Sequence, residues 1–189
     1  MAQEWTEDKK PKERQPKQTS SDKRVRLNLP SSTPLGDARA SMANHVADPQ
    51  GVYCPCCGRV NKIYPRGIHW QSGAWLCLLV KRYLTEERWY QVTEFYNLRG
   101  GDYAKLRFWD LCELKAGTDY DKRTSGMWKP TEKGIKFAQG KIRIPAKVLL
   151  YQDKCVGFEE GKDVDIHEIL NTSEGAFSWS ETMRGVEVP

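Results

Sequence analysis

The sequence has no apolar run longer than the seven residues from Ala74 to Val80. A membrane-spanning helix needs roughly twenty predominantly apolar residues, so we expect no membrane partner. No apolar stretch follows the charges at the start of the chain, which argues against a secretory signal. The 15 glycines and 10 prolines among 189 residues are ordinary proportions, and they exclude collagen-like and low-complexity chains. We therefore expect a cytoplasmic globular protein.

The sequence also contains little that indicates catalysis. Its three histidines, His45, His69 and His167, are far apart, and no nucleophile, base and orienting group form a recognisable pattern. The pair Gly100-Gly101 lacks the Lys and the Ser or Thr of a phosphate-binding loop. We predict that the protein is not an enzyme.

Six cysteines in a chain without a secretory signal do not imply disulfides. Three of them crowd into residues 54–57, a spacing that a framework of separate bridges would not have. The sequence thus favours a reducing compartment. Cys112 and Cys155 lie in apolar strand contexts, so we expect both in the core.

The net charge of +5 is distributed unevenly. Residues 1–30 carry net +3, residues 31–155 net +8, and residues 156–189 net −6. A basic body with an acidic end favours a polyanion, nucleic acid above all, as the partner of the body. The alternative is a solvated surface whose charges are merely uneven.

Composition divides the chain into four predicted segments. Residues 1–50 form a disordered basic tail and linker, because they lack hydrophobic periodicity and cannot offset the entropy of ordering. Residues 51–70 form a zinc-knuckle-like segment with two short strands. Residues 71–158 form the main domain, and residues 159–189 form an acidic C-terminal segment.

The main domain alternates helices and strands. The predicted elements are a buried helix over 72–84, a short strand and short helix over 88–98, a helix over 102–109, strands over 111–114 and 127–130, a helix over 131–140, and a β hairpin over 148–158. Asp102 and Thr131 are the predicted N-caps, and Gly140 is a predicted helix stop. Gln152-Asp153 is the predicted hairpin turn.

This order resembles that of a winged helix-turn-helix domain. Residues 105–113, Lys-Leu-Arg-Phe-Trp-Asp-Leu-Cys-Glu, are similar to the end of the recognition helix and the first wing strand of MarR-type domains. Asp110 stands where glycine is usual, and Asp tolerates the positive φ expected there. Residues 128–134, Trp-Lys-Pro-Thr-Glu-Lys-Gly, are similar to the stretch that closes the wing, with Pro130 replacing leucine. The resemblance spans residues 72–140 and implies an α+β fold.

The resemblance also implies a nucleic-acid interface on the helix at 101–109 and on the wing. In such domains the helix enters the major groove and the wing contacts phosphate or the minor groove. The basic residues in these places are Arg99, Lys105, Arg107, Lys122, Arg123 and Lys129. We expect Leu106, Leu111 and Leu114 to face the core, together with Phe108 and Trp109.

The cysteine cluster contains Cys54-x-x-Cys57 followed by Gly58, which is the spacing of a zinc knuckle. The glycine lets the backbone turn towards the thiolates. A structural zinc needs four ligands, and the candidates for the other two are His69 and Cys77. The alternatives are a degenerate ribbon without metal and ordinary buried cysteines.

Two functions follow as hypotheses. The first is a protein that binds double-stranded DNA, such as a transcriptional regulator. The second is an adaptor or inhibitor that docks on a protein partner, because the acidic segment carries apolar residues such as Ile166, Ile169 and Leu170, with Phe158 just before it. The arrangement of knuckle, winged helix and hairpin also resembles uncharacterised phage-type proteins.

Overall fold

The protein is a mixed α+β chain that divides into two compact units, Met1–Lys62 and Ile63–Pro189. The structure is a computed structural model, and it describes residues 23–95, 101–117, 124–173 and 175–186. This division differs from the predicted boundaries after residues 50, 70 and 158. None of the helices in the described ranges combines the length and apolar character that a membrane span requires.

In unit 1, the described residues 23–62 form a small three-stranded sheet and one helix. Its elements are β1 (Val25–Arg26), α1 (Leu35–Ala43), β2 (Val52–Tyr53) and β3 (Val60–Asn61). Strand β1 runs parallel to β2, and β2 pairs antiparallel with β3. The two predicted short strands around the cysteine cluster are therefore confirmed.

Helix α1 corrects the prediction that residues 1–50 are only tail and linker. It buries Ala38 and Met42, which are four residues apart and so lie on one helix face. Only two apolar positions carry this face, and no side chain caps the helix start. The local signal was therefore too weak to predict the helix.

Unit 2 contains the main core. Its strands and helices are, in chain order, β4 (Tyr64–Gly67), α2 (Trp70–Thr85), β5 (Tyr90–Gln91), 3₁₀ helices Val92–Glu94 and Gly101–Trp109, β6 (Cys112–Ala116), β7 (Thr124–Pro130), α3 (Glu132–Ala138), β8 (Ile144–Pro145), β9 (Lys147–Tyr151), β10 (Lys154–Phe158), β11 (Asp163–Val164), α4 (Ile166–Leu170), 3₁₀ helix Asn171–Ser173 and α5 (Trp179–Met183). The predicted helices at 72–84 and 131–140 are confirmed, and the helix predicted at 102–109 is a 3₁₀ helix.

The described residues of unit 2 form three antiparallel sheets. The first has the strand order β5-β7-β6, the second β10-β9-β4, and β11 pairs with β8. The predicted hairpin is confirmed, because β9 and β10 join through Gln152 and Asp153, whose φ values are +49° and +58°. Positive φ at both turn residues is the geometry of a tight two-residue hairpin.

Helix α2 is the centre of unit 2. Eight of its residues are buried, and the helix packs against α3, α4, α5, β7 and the Gly101–Trp109 helix. Trp75, on this helix, contacts the rings of Phe95, Tyr103 and Trp128 at centroid distances of 5.8, 5.1 and 6.2 Å. These contacts join α2 to the first sheet and to the 3₁₀ helix.

The acidic C-terminal segment belongs to this core, which corrects its prediction as a separate segment. Ile166 is 0% exposed, and Ile169, Leu170 and Met183 are also buried. The sequence could not show this, because the elements α4 and α5 have only five residues each and depend on packing against α2.

Candidate nucleic-acid interface and cysteine hairpin

The Gly101–Trp109 helix is held on its inner side and exposed on its outer side. Leu106 and Trp109 are each 1% exposed, and Trp109 Nε1 donates a 2.7 Å hydrogen bond to the carbonyl of Pro145. Phe108 is partly buried against the same core. Arg107 lies exposed between these anchors. The predicted core positions on this helix are confirmed.

The helix ends at Asp110, which has a φ of +59°. The expectation of positive φ at this residue is confirmed. Its amide donates to the Arg107 carbonyl, and the Leu111 amide donates to the Leu106 carbonyl. This left-handed residue turns the chain directly from the helix into β6.

The motif Thr-x-x-Gly at 131–134 connects the start of α3 to the turn at Asp110. Thr131 Oγ1 accepts from the Gly134 amide at 3.0 Å and donates to the Asp110 carbonyl at 2.6 Å. A Cβ at position 134 would lie 1.8 Å from the carbonyl oxygen of Leu111. Only glycine therefore allows the first turn of α3 to sit this close to the start of β6.

Arg107 differs from the other predicted cations of this surface. Its guanidinium lies 5.0 Å from the centroid of the Phe108 ring, and among the described residues it has no carboxylate partner. Lys105 pairs with Asp102, three residues earlier, because side chains three apart align on a 3₁₀ helix. Arg107 is thus the cation on this helix that can meet an anion without breaking an ion pair.

Lys129 lies on β7 beside β6. Its Nζ is 2.7 Å from the Glu113 carboxylate and 4.9 Å from the centroid of the Trp89 ring. The hydrogen bond to Glu113 raises the pKa of Lys129. This ion pair reduces the charge that Lys129 offers to a phosphate.

The remaining predicted cations, Arg99, Lys122 and Arg123, lie outside the described residues. The segment that joins β6 to β7 spans residues 117–123, and the register pairs Ala116 with Thr124 at its base. Any contribution of Arg99, Lys122 and Arg123 stays a prediction.

The cysteine cluster lies in the loop between β2 and β3. The Cys54 amide donates to the Arg59 carbonyl, and the Gly58 amide donates to the Cys54 carbonyl at 2.9 Å. Gly58 has a φ of +68°, and an added Cβ there would meet no atom within 4 Å, so its role is conformational. Backbone hydrogen bonds from Cys56 and then Cys57 lower the pKa of Cys54 against the opposing effect of burial. The loop therefore favours a thiolate at Cys54.

The other two predicted ligands lie in unit 2. His69 is the N-cap of α2, and its Nδ1 accepts from the Gln71 amide at 3.4 Å. Cys77 is 0% exposed in the apolar core, and burial raises its pKa to about 12. The role of Cys77 as a zinc ligand stays a prediction. In the described part of the chain, no three His, Cys, Asp or Glu side chains group as a metal site.

Two further cysteines test the core predictions. Cys112 is buried as expected, and burial raises its pKa. Cys155 is exposed, so its prediction as a core residue is wrong. The reason is that β10 is an edge strand of its sheet, and four of its five residues, Cys155 among them, are exposed.

A charged groove at the C-terminal end of α2 was not predicted. Its lining includes Leu78 and Tyr90, with Lys81, Arg82 and Arg88. Arg88 holds Glu86 at 3.0 Å and Glu94 at 2.8 Å, so these charges largely satisfy one another. The basic pair Lys81-Arg82 was the available signal in the sequence, and the carboxylates that neutralise Arg88 lie only two and six residues from it.

Comparison with protein-family models, curated proteins and solved structures found no match to this chain.

Proposed function

We propose that the protein binds double-stranded DNA through a winged helix-turn-helix formed by residues 70–138, in the manner of a transcriptional regulator. The observation that carries this proposal is the order of α2, β5, the two 3₁₀ helices, β6, β7 and α3, together with the strand order β5-β7-β6. The Gly101–Trp109 helix comes immediately before the β6–β7 hairpin, as a recognition helix precedes its wing.

The chemistry of the exposed helix side supports the proposal. Leu106 and Trp109 fix the helix to the core, so that Arg107 projects from a rigid element. Arginine offers five N–H donors that suit guanine edges and phosphates. Lys105 and Lys129 add charge, although their pairing with Asp102 and Glu113 reduces what they contribute.

The proposed metal site keeps two of its four predicted ligands. Cys54 and Cys57 share one tight loop, and the backbone amides that stabilise the Cys54 thiolate fit a zinc-bound sulfur. Zinc there would tie β2 to β3 in a unit whose strands have only two residues each. The other two ligands that a structural zinc needs are unassigned in this proposal, and the roles of His69 and Cys77 stay predictions.

The test is the affinity of the full chain for a duplex of mixed sequence across a salt series. Phosphate contacts make the logarithm of the affinity fall with the logarithm of salt by about 0.9 per contact. We expect Arg107→Gln to lower the affinity about tenfold at low salt and to reduce the slope by about 0.9. Lys154→Gln removes an exposed charge from the β9–β10 hairpin and should change neither.

A combined change of Lys105, Arg107, Lys122 and Arg123 to Gln should abolish most salt-dependent binding. The unfolding midpoint of this variant serves as the check that it is folded. Unchanged binding in the folded variant would remove the interface from this helix and wing. Absence of salt-dependent binding by the unmodified chain would overturn the proposal as a whole.

The alternative function is docking on a protein partner, and the structure changes which residues could form the contact surface. Ile166, Ile169 and Leu170 are core residues, so they cannot form the contact surface. Val156 and Phe158 are 51% and 37% exposed on β10, an edge strand of its sheet. An edge strand offers unpaired backbone groups to an added strand. If Val156→Ser/Phe158→Ser abolishes the binding of a protein partner and leaves the affinity for DNA unaltered, this alternative is favoured.

A further inference from the structure

We infer that Phe108 is a positioning residue for DNA binding, whose ring holds the guanidinium of Arg107 in the orientation that meets the duplex. This inference rests on the proposed function, in which Arg107 contacts the DNA. It assigns to the interface a residue that has no DNA contact of its own and acts only through its neighbour.

The backbone of Arg107 is fixed on both sides. Leu106 and Trp109 are each 1% exposed, and Trp109 Nε1 donates a 2.7 Å hydrogen bond to the carbonyl of Pro145. The Arg107 carbonyl accepts from the amide of Asp110 at 3.0 Å, where the chain leaves the helix. With the main chain held in this way, only the torsions of the side chain decide where the guanidinium lies.

The ring of Phe108 supports the far end of this side chain. Phe108 is partly buried and packs against the main core, so its ring is itself held in place. The guanidinium carbon of Arg107 lies 5.0 Å from the centroid of the ring. A guanidinium within about 6 Å of an aromatic ring is attracted by the negative charge of the ring face. The exposed side chain of Arg107 is therefore held at both ends.

Arg88 shows the contrast with an arginine that a carboxylate orients. Its guanidinium lies 4.0 Å from the centroid of the Tyr90 ring, but it is also 2.8 Å from the Glu94 carboxylate. Arg107 has no carboxylate partner among the residues that the structure describes. The ring of Phe108 is thus the group that orients the Arg107 guanidinium.

An arginine held in this way suits the recognition of phosphate or of a guanine edge. The N–H groups lie in the plane of the guanidinium, so that a cation stacked on a ring can still donate in parallel to two acceptor atoms. A long side chain loses rotamer freedom when it binds, and a side chain that is already ordered loses less. Phe108 should therefore raise the affinity of the Arg107 contact.

The experiment measures the affinity of the full chain for a duplex of mixed sequence in a double-mutant cycle. Phe108→Leu removes the ring and keeps an apolar side chain against the core. We expect it to lower the affinity about two- to fivefold, which is the range of an exposed cation–π contact. In the Arg107→Gln background the same change should lower the affinity less than about 1.5-fold, because the guanidinium is then absent.

Two variants control for the packing of the helix. Phe108→Tyr keeps the ring and should keep the affinity within about 1.5-fold of the unmodified value. Phe158→Leu removes a ring that contacts Trp109 of the same helix, at a centroid distance of 6.5 Å, and should leave the affinity unchanged.

The urea unfolding midpoint, followed by tryptophan fluorescence, shows which variants are folded. If Phe108→Leu does not fold, Arg107→Lys takes its place in the experiment, because it keeps the charge and removes the flat guanidinium. We expect Arg107→Lys to lower the affinity about two- to fivefold and to leave the salt slope unchanged.

The outcomes separate this inference from the proposed function. A folded Phe108→Leu variant, or an Arg107→Lys variant, that binds with the unmodified affinity overturns the inference and leaves Arg107 in the interface. An equal loss in the Arg107→Gln background, in Phe108→Tyr or in Phe158→Leu also overturns it, because the ring then supports the helix and not the guanidinium. Arg107→Gln with the unmodified affinity overturns both the inference and the place of Arg107 in the proposed interface.

Discussion

Replacement of Gly134 by alanine tests the junction on which the proposed interface depends. The new Cβ would lie 1.8 Å from the Leu111 carbonyl oxygen and 2.8 Å from the carbonyl carbon. A carbon and an oxygen come no closer than about 3.3 Å, so the first turn of α3 must move by roughly 1.5 Å. Leu111 is fully buried, and its backbone cannot yield towards solvent.

This displacement breaks a group of hydrogen bonds at once. Thr131 Oγ1 bonds to the Gly134 amide and the Asp110 carbonyl, and the Thr131 amide donates to the Leu111 carbonyl at 3.2 Å. Each bond contributes about 1 kcal/mol net, and overpacking costs about 1 to 3 kcal/mol more. Alanine regains about 1 kcal/mol as the better helix former. We therefore expect a loss of about 3 to 5 kcal/mol, which is a large part of an ordinary stability.

The assay is urea unfolding followed by tryptophan fluorescence, because Trp75, Trp109 and Trp128 are buried in unit 2. A thermal scan should show a midpoint lower by about 10 °C. Lys133→Ala, at the exposed neighbouring position, should change stability by no more than about 0.5 kcal/mol. An unfolding midpoint of Gly134→Ala equal to that of the unmodified chain would refute the close contact and the role given to glycine.

Three more predictions concern single sites. Because Asp110 has a φ of +59°, Asp110→Gly should be at least as stable as the unmodified chain, and Asp110→Ala should be about 1 kcal/mol less stable than the glycine variant. Urea unfolding measures both variants, and equal stabilities of the two would contradict the prediction. Zinc should be found at one ion per chain by elemental analysis, lost in Cys54→Ser/Cys57→Ser and kept in Cys155→Ser; loss in all variants or in none contradicts the site. Hydrogen bonding to the start of α4 lowers the pKa of Asp165, so the stability that this carboxylate contributes is complete above about pH 5 and is lost as the pH falls through the lowered pKa. Asp165→Asn keeps a capping oxygen and should therefore lose less stability between pH 6 and pH 3 than the unmodified chain. An equal loss of stability in the two proteins would argue against this carboxylate.

Local signals predicted those elements that local chemistry controls. Apolar density over residues 72–84 predicted α2, and Thr131 predicted the start of α3. Gln152-Asp153 predicted the hairpin turn, and Asp110 the left-handed helix end. In each case the residue type itself sets the backbone preference or the cap, so a single sequence is sufficient.

The candidate site was predicted only in part. Arg107 lies exposed on the helix, as the predicted interface requires. The ion pairs of Lys105 and Lys129 were not predicted. The sequence also gave no sign that Cys77 is fully enclosed, because a cysteine on a helix has the same spacing whether it faces a metal or a core. The pair of Lys129 with Glu113 joins two strands and depends on their register, which a single chain does not reveal.

The sequence alone determined the α+β alternation, the basic excess and the pair of cysteines in one tight turn, because these are properties of composition and of neighbouring residues. Only the tertiary structure decided where the acidic end belongs. It buries Ile166 and Ile169 against α2 and brings Asp165 and Glu168 to Arg143. Elements of five residues have no stability of their own, so their place follows from the apolar surface that α2 leaves for them to cover.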